Sequence, residues 1–222
     1  MGKLIVFEGT DGCGKSTQFR LLTERLAREM VDFHKLCFPQ YSEPSSALIR
    51  MYLGGEFGED PDDVNGYAAS LFYAVDRYAS YVKVWRKIYE AGGLILSDRY
   101  TTSNAVHQAA KVPEGERESF LDWLGDLEYG KLGLPRPDLV ICLDMPVSLT
   151  HRLMHSREKK THTDADIHER DAAYLEKCHT MAMTAAAYCG WTVVPCHKDG
   201  KPRPVDEIAE EIYGLVRRCL EE

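Results

Sequence analysis

A chain of 222 residues is long enough for one sizeable α/β domain, or one domain with a small insertion. Its net charge of −8 argues against a nucleic-acid surface, which carries a basic excess, and no apolar run approaches the length of a membrane span. Seven cysteines, an odd number without a C-x-x-C pair, favour reduced thiols in a cytoplasm over a disulfide framework.

Lys3 to Glu8 is a short apolar run of the kind a buried parallel strand needs. It leads within the first residues into a strand, so no secretory leader is expected. Gly9-Thr10-Asp11-Gly12-Cys13-Gly14-Lys15-Ser16-Thr17 follows and fits G-x-x-x-x-G-K-[ST], the phosphate-binding P-loop. Its glycines let the backbone turn tightly and aim N–H groups at an anion. Lys15 is placed to reach the β- and γ-phosphates of a nucleoside triphosphate, and the Ser16 hydroxyl suits a Mg²⁺ ion. Cys13 is read as a small filler, or as a thiol that sensitises the loop to thiol reagents. Phe19, Leu22, Leu26 and Met30 then recur at helical spacing. Strand, glycine loop and helix together are the context that a nucleotide-binding P-loop requires.

His34 to Phe38 reads as a second strand stopped by Pro39, and Ser45 or Ser46 as the cap of a short helix through Leu48, Met51 and Leu53. Asp60-Pro61 reads as the cap and first turn of a long helix whose stripe of Tyr67, Leu71, Val75, Tyr78 and Val82 has the period to face a core. After Gly92-Gly93, a third strand from Leu94 to Ser97 runs into Asp98-Arg99-Tyr100. Helices are expected over Thr101 to Lys111 and Pro113 to Tyr129, a fourth strand over Asp138 to Leu143, and helix again over Pro146 to His155. The polar stretch Ser156 to Asp166 lacks core periodicity and is expected to be a lid, within a segment of about 152–168. A helix with Tyr174, Cys178, Met181, Ala185 and Tyr188 on one face, a fifth strand from Trp191 to Cys196 and an amphipathic helix from Val205 to Leu220 complete the chain.

Strands separated by helices imply one α/β domain over residues 1–222, with a parallel five-stranded sheet covered by helices on both faces, the P-loop NTPase fold. In such a sheet ligands sit beyond the C-terminal strand ends. Glu8 onward, Pro39 to Tyr41, Asp98 to Tyr100 and Asp144 converge there as one rim.

A P-loop serves switches, motors and small-molecule kinases, and no N-K-x-D guanine reader is present. The chain resembles the thymidylate kinase family over essentially its full length. The resemblance rests on Phe7 to Thr17, Phe38-Pro39-Gln40-Tyr41, Leu71 to Arg77, Ser97 to Ala105, Leu132 to Asp138 and Leu143-Asp144, in that order and spacing. It implies ATP-dependent phosphorylation of dTMP to dTDP with Mg²⁺, by a homodimeric cytoplasmic enzyme with no nucleic-acid or membrane partner. It also implies that Asp11 meets the sugar or phosphate of the monophosphate and that Arg99 grips its phosphate. Asp98 is implied to orient that arginine or to bind magnesium, with capping of the next helix as the other reading. Arg77 is implied to donate to the thymine carbonyl, Tyr73 to stack on the base or else pack in the core, Asn104 to contact the base, and Tyr41 to bound the pocket.

Two positions depart from the commonest family pattern. His107 stands where a tyrosine often blocks a ribose 2′-hydroxyl, and reads either as that block or as a helix-surface residue. Gly12 stands where some members carry a catalytic arginine. The transition state of phosphoryl transfer needs a positioned cation, so the lid is expected to supply it through Arg157, with Arg152 as the other candidate. The competing readings are a kinase for another (deoxy)nucleotide or for a deoxynucleoside, and a non-catalytic P-loop nucleotide binder.

Overall fold

The computed structural model describes residues 1–150 and 172–221. The expected lid, with Arg152 and Arg157, lies outside the described residues. Strands β1 (Lys3–Glu8), β2 (His34–Cys37), β3 (Leu94–Asp98), β4 (Leu139–Asp144) and β5 (Thr192–Pro195) form a parallel sheet of order β2-β3-β1-β4-β5. β1 is central, and its side chains alternate between two buried layers as a strand's period of two dictates. Ile5 and Phe7 join Phe19, Leu22 and Leu26 of helix α1 (Lys15–Arg28) and Ile208, Ile212 and Val216 of the C-terminal helix Val205–Glu221. Leu4 and Val6 point the other way, into a cluster with Tyr81, Trp85, Tyr89 and Tyr100. A further cluster joins Val106, Phe120 and Leu124 to Tyr174, Cys178, Met181 and Ala185 of the helix Ala172–Cys189.

Helix α2 (Ala47–Leu53) turns Ile49 and Tyr52 inward and leaves Leu48 exposed. Helix α3 (Gly66–Ser80) continues through a π turn, Tyr81–Trp85, into α4 (Arg86–Glu90). Between β3 and β4 the chain forms wide π turns at Asn104–Gln108 and Asp126–Lys131 on either side of α5 (Arg117–Gly125). Residues 147–150 are helical, as expected for the start of that helix.

Four expectations are corrected. Met30 is not on the buried face of α1, because the helix ends at Arg28 and Met30, at φ 59°, is 92% exposed. Asp60-Pro61 opens only a short 3₁₀ turn, Pro61–Asp63. Val64 then becomes extended, and the long helix starts one turn later with Asn65 Oδ1 accepting from the Ala68 amide at 2.9 Å. A two-stranded hairpin, His197–Lys198 with Lys201–Pro202, follows β5 where the sequence reading holds no element.

The fourth correction concerns α3. The stripe Tyr67, Leu71, Val75, Tyr78 and Val82 faces outward, each residue being exposed. The face turned inward carries Gly66, Ala69, Ser70, Ala74, Asp76, Arg77 and Ser80. Small residues are required there because α3 crosses the segment Asn104–Gln108 closely. A Cβ built on Gly66 would meet the Gln108 carbonyl oxygen at 2.6 Å. The helix is therefore amphipathic in the reverse sense, with a small and polar face toward the protein.

Candidate active site

The turn after β1 is shaped by Gly12 and Gly14 at φ 78° and 92°, a left-handed backbone that only glycine adopts without cost. Gly14 caps α1, so the loop amides of residues 9–14 and the helix N-terminus form one anion-attracting end. Thr10 and Cys13 point inward, whereas Ser16 and Thr17 are exposed at the start of the helix. Burial pushes the Cys13 thiol up to about 11. Cys13 is a filler, and the reading of it as a reactive thiol is set aside.

Lys15 is buried, with Nζ 3.0 Å from Asp98 Oδ1 at the end of β3. Asp98 thus faces the P-loop lysine. The acids hydrogen-bonded to Arg99 are others. Asp11 Oδ1 accepts from Arg99 Nη2 at 2.6 Å, and Glu8 Oε1 accepts from Nη1 at 3.2 Å. Burial acts to lower the affinity of this guanidinium for its proton. The carboxylates of Asp11, Glu8 and Asp98 outweigh that effect and raise its pKa above the ordinary value. Arg99 also sits at φ 65°, a conformation costly for a residue with a Cβ. Four contacts hold it there besides the ion pairs: its amide donates to Phe7 O at 3.0 Å, Ser97 Oγ donates to its carbonyl at 2.6 Å, Nη1 donates to Ser103 Oγ at 3.4 Å, and Nη1 lies 3.2 Å from His107 Nε2.

His107 is buried, not on the helix surface. Burial first, and the Arg99 charge next, push its pKa down to about 4, so near neutral pH it is uncharged. Arg99 has no acceptor atom, so His107 Nε2 must accept, and the ring proton sits on Nδ1.

A cleft opens beside the P-loop, with a cavity volume of about 170 Å³. Asp11, Tyr41, Tyr73, Arg77, Arg99, Asn104 and His107 all line it, together with Phe38, Pro39 and Tyr100. The residues expected to hold a monophosphate, which span 97 sequence positions from Asp11 to His107, therefore share one wall-to-wall space. Tyr73 lines the cleft and also packs against Tyr52 and Ala69. Asp144 is not among the lining residues; it meets His179 Nε2 at 2.8 Å instead.

Three acids in this neighbourhood carry no role in the sequence reading. Glu8, fully buried, accepts from the Gly9 amide and from Thr102 and Ser103 hydroxyls as well as from Arg99. Asp76, also buried, accepts from the Gln40 amide at 2.8 Å and from Ser45 Oγ at 2.6 Å, tying down the loop that carries Pro39 and Tyr41. Glu128, fully buried, accepts from Arg77 Nε at 2.7 Å and Nη2 at 2.5 Å, and from Asn104 Nδ2 at 3.2 Å. The signal for Glu128 is its spacing: it follows Leu121 and Leu124 on the buried side of one continuous helical run. An acid at a core position needs a buried partner.

Comparison with known proteins agrees with this arrangement. The family model described as Thymidylate kinase matches residues 7–207. The chain belongs to the thymidylate kinase family. It is 30% identical over 190 residues to the thymidylate kinase of Mycobacterium tuberculosis (strain CDC 1551 / Oshkosh), covering 85% of this chain and 87% of that protein. It is 35% identical over 162 residues to a probable thymidylate kinase of Thermococcus onnurineus, covering 72% of this chain and 75% of the relative. A solved thymidylate kinase from Candida albicans has the same fold, with a TM-score of 0.69 at 21% identity over 98% of this chain and 92% of that one. Thymidylate kinases are P-loop enzymes, and the parallel sheet with its phosphate loop at the C-terminal end of β1 fits that membership. Among the described residues, no helix is long and apolar enough to cross a membrane.

Proposed function

We propose that this protein transfers the γ-phosphoryl group of ATP to dTMP, giving dTDP and ADP. The observation that carries the reading is the single cleft beside the P-loop lined by Asp11, Tyr41, Tyr73, Arg77, Arg99, Asn104 and His107. ATP takes the loop from Gly9 to Thr17, and dTMP takes the cleft. Arg99 receives the monophosphate, because a guanidinium offers paired donors to phosphate oxygens. Its two carboxylate partners, Glu8 and Asp11, preset its direction before substrate arrives. Arg77 and Asn104 meet the base edge, Tyr73 its face, and Tyr41 bounds the opening.

Lys15 follows the β- and γ-phosphates through the reaction. A Mg²⁺ ion fits the donor set: the exposed Ser16 hydroxyl at the start of α1 and the Asp98 carboxylate are hard oxygen ligands, and nucleotide phosphates supply the rest. Held by Ser16 and Asp98, the ion would supply positive charge that offsets the negative charge of the phosphates. Family resemblance and the absence of a cation at Gly12 support Arg157, or Arg152, as the further positive charge. His107, at the position of the family's sugar-facing tyrosine, limits access of a ribose 2′-hydroxyl while bracing Arg99.

The outward apolar stripe of α3 supports a homodimer. Leu71, Val75, Tyr78 and Val82 line one helix face, and a two-fold pairing of that face with its copy buries all of them. Seven cysteines, an odd number without a C-x-x-C pair, support residence in a reducing cytoplasm.

The test is ADP release from ATP measured side by side with dTMP, dUMP, UMP, dCMP and AMP. The expected order has dTMP first in kcat/KM. Turnover dominated by a different acceptor would reassign the substrate, and no turnover with any acceptor would leave a nucleotide binder.

A further inference from the structure

Asn104 has one amide nitrogen and one amide oxygen, and which of them faces a ligand decides what it reads. Its Nδ2 lies 3.1 Å from the backbone oxygen of Ser70 and 3.2 Å from Glu128 Oε1. A peptide carbonyl and a carboxylate only accept, so both amide N–H groups are engaged by the protein. Reversing the amide would set Oδ1 against two acceptors at once. The orientation is therefore dictated by chemistry, and the group Asn104 presents to the cleft is Oδ1, an acceptor.

Arg77, one turn beyond Tyr73 on α3, is held by the same carboxylate. Glu128 takes Nε and Nη2, and the carbonyl of Tyr100 accepts from Nη1 at 3.3 Å. A guanidinium only donates, and Arg77 also lines the cleft. Side by side, the cleft thus offers one donor and one acceptor, each fixed by Glu128.

We infer that Glu128 is a specificity-determining residue: by locking Asn104 acceptor-out and Arg77 donor-out, it makes the cleft select a keto base over an amino base. This rests on the proposed use of the cleft by a nucleoside monophosphate. Thymine and uracil present a carbonyl acceptor beside the N3–H donor, matching Arg77 and Asn104. Cytosine presents an amino donor beside an N3 acceptor, which opposes donor to donor and acceptor to acceptor. Guanine has the keto order, so the lock separates keto from amino bases and leaves rejection of purines to other features. Glu128 touches no substrate; it acts through its two partners.

The experiment compares kcat/KM for dTMP and dCMP in the unchanged protein and in Glu128→Gln. A glutamine offers one acceptor and one donor, so one of the two acceptors that fix Asn104 is lost and the reversed amide is opposed by the Ser70 carbonyl alone. The expected result is a rise of about tenfold or more in KM for dTMP, a fall of about tenfold or more in the dTMP:dCMP ratio, and a KM for ATP within about twofold of the original. A purely packing role lowers both nucleotides alike and leaves the ratio unmoved, and that result overturns the inference. Should Glu128→Gln not fold, Glu128→Asp keeps the charge and leaves Arg77 in place, and only draws the carboxylate back from Asn104 and Arg77. The same collapse of the ratio is expected there, and retention of the original ratio overturns the inference. Failure of the unchanged protein to phosphorylate dTMP would instead strike the proposed function, so the two failures are distinguishable.

Discussion

Asp11 and Arg99, 88 positions apart in the chain, meet at 2.6 Å between the phosphate loop and the end of β3. The contact joins the proposed ATP side of the site to the dTMP side. It also means that Arg99 is positioned by carboxylates before any phosphate is bound. An incoming phosphate must share that guanidinium with Asp11 and Glu8, whose like charge limits how tightly the anion is held in the ground state.

Lys15→Ala removes the cation that accompanies the phosphates, and kcat is expected to fall by about a hundredfold or more. Asp98 then loses its partner at 3.0 Å, so a lower Tm accompanies the change. Steady-state kinetics at a temperature well below the variant's Tm separate the two effects. Near-normal turnover would remove Lys15 from the mechanism.

Arg157→Ala is expected to lower kcat by about 10²-fold or more with little change in KM for dTMP, the pattern of an interaction made mainly in the transition state. Arg152→Ala, measured in parallel, reads out the competing assignment. Loss of rate in the second variant alone moves the role to Arg152.

His107 titrates at 6.5 when unperturbed and at about 4 in the fold. As pH falls, the unfolded chain takes up this proton first. The contribution of the neutral imidazole is therefore fully present above about 6.5 and is lost as pH drops toward about 4, on the order of 3 kcal/mol in all. His107→Gln is expected to flatten the stability curve in that window, seen as a smaller loss of Tm between pH 7 and pH 4.5. The same variant and His107→Ala also test the sugar reading, since relief of a steric block raises activity on UMP relative to dUMP.

Val75→Glu places a charge in the middle of the exposed stripe of α3. The expected outcome is a shift from dimer to monomer in analytical ultracentrifugation, with the subunit itself still folded because the position faces solvent. A sedimentation profile identical to that of the unchanged chain would mean that this face is not the subunit interface.

The five strands, the P-loop and the C-terminal strand ends as the location of the site are legible in the sequence because their determinants are local. An apolar run, a glycine pattern and a helical stripe each lie within a few consecutive residues. So are the residues that line the cleft, through their resemblance to family motifs. Periodicity, however, identifies which residues share a helix face, not which way that face points. For α3 the answer depended on what lies across from it. Where α3 passes Asn104–Gln108, a Cβ at Gly66 would meet the Gln108 carbonyl oxygen at 2.6 Å, and the inward face carries small and polar residues while the larger apolar side chains are turned outward. His107 was open between surface and site for the same reason, and it became buried because Arg99, Tyr174 and the cleft converge on it. Glu128 is the clearest case: 51 positions separate it from Arg77 and 24 from Asn104, and its charge has meaning only after folding brings those three together away from water. What the sequence by itself determined is the chemistry available along each element. What the tertiary structure decided is which polar groups lose their water and must satisfy one another, since that cost falls on a residue only when distant parts of the chain enclose it.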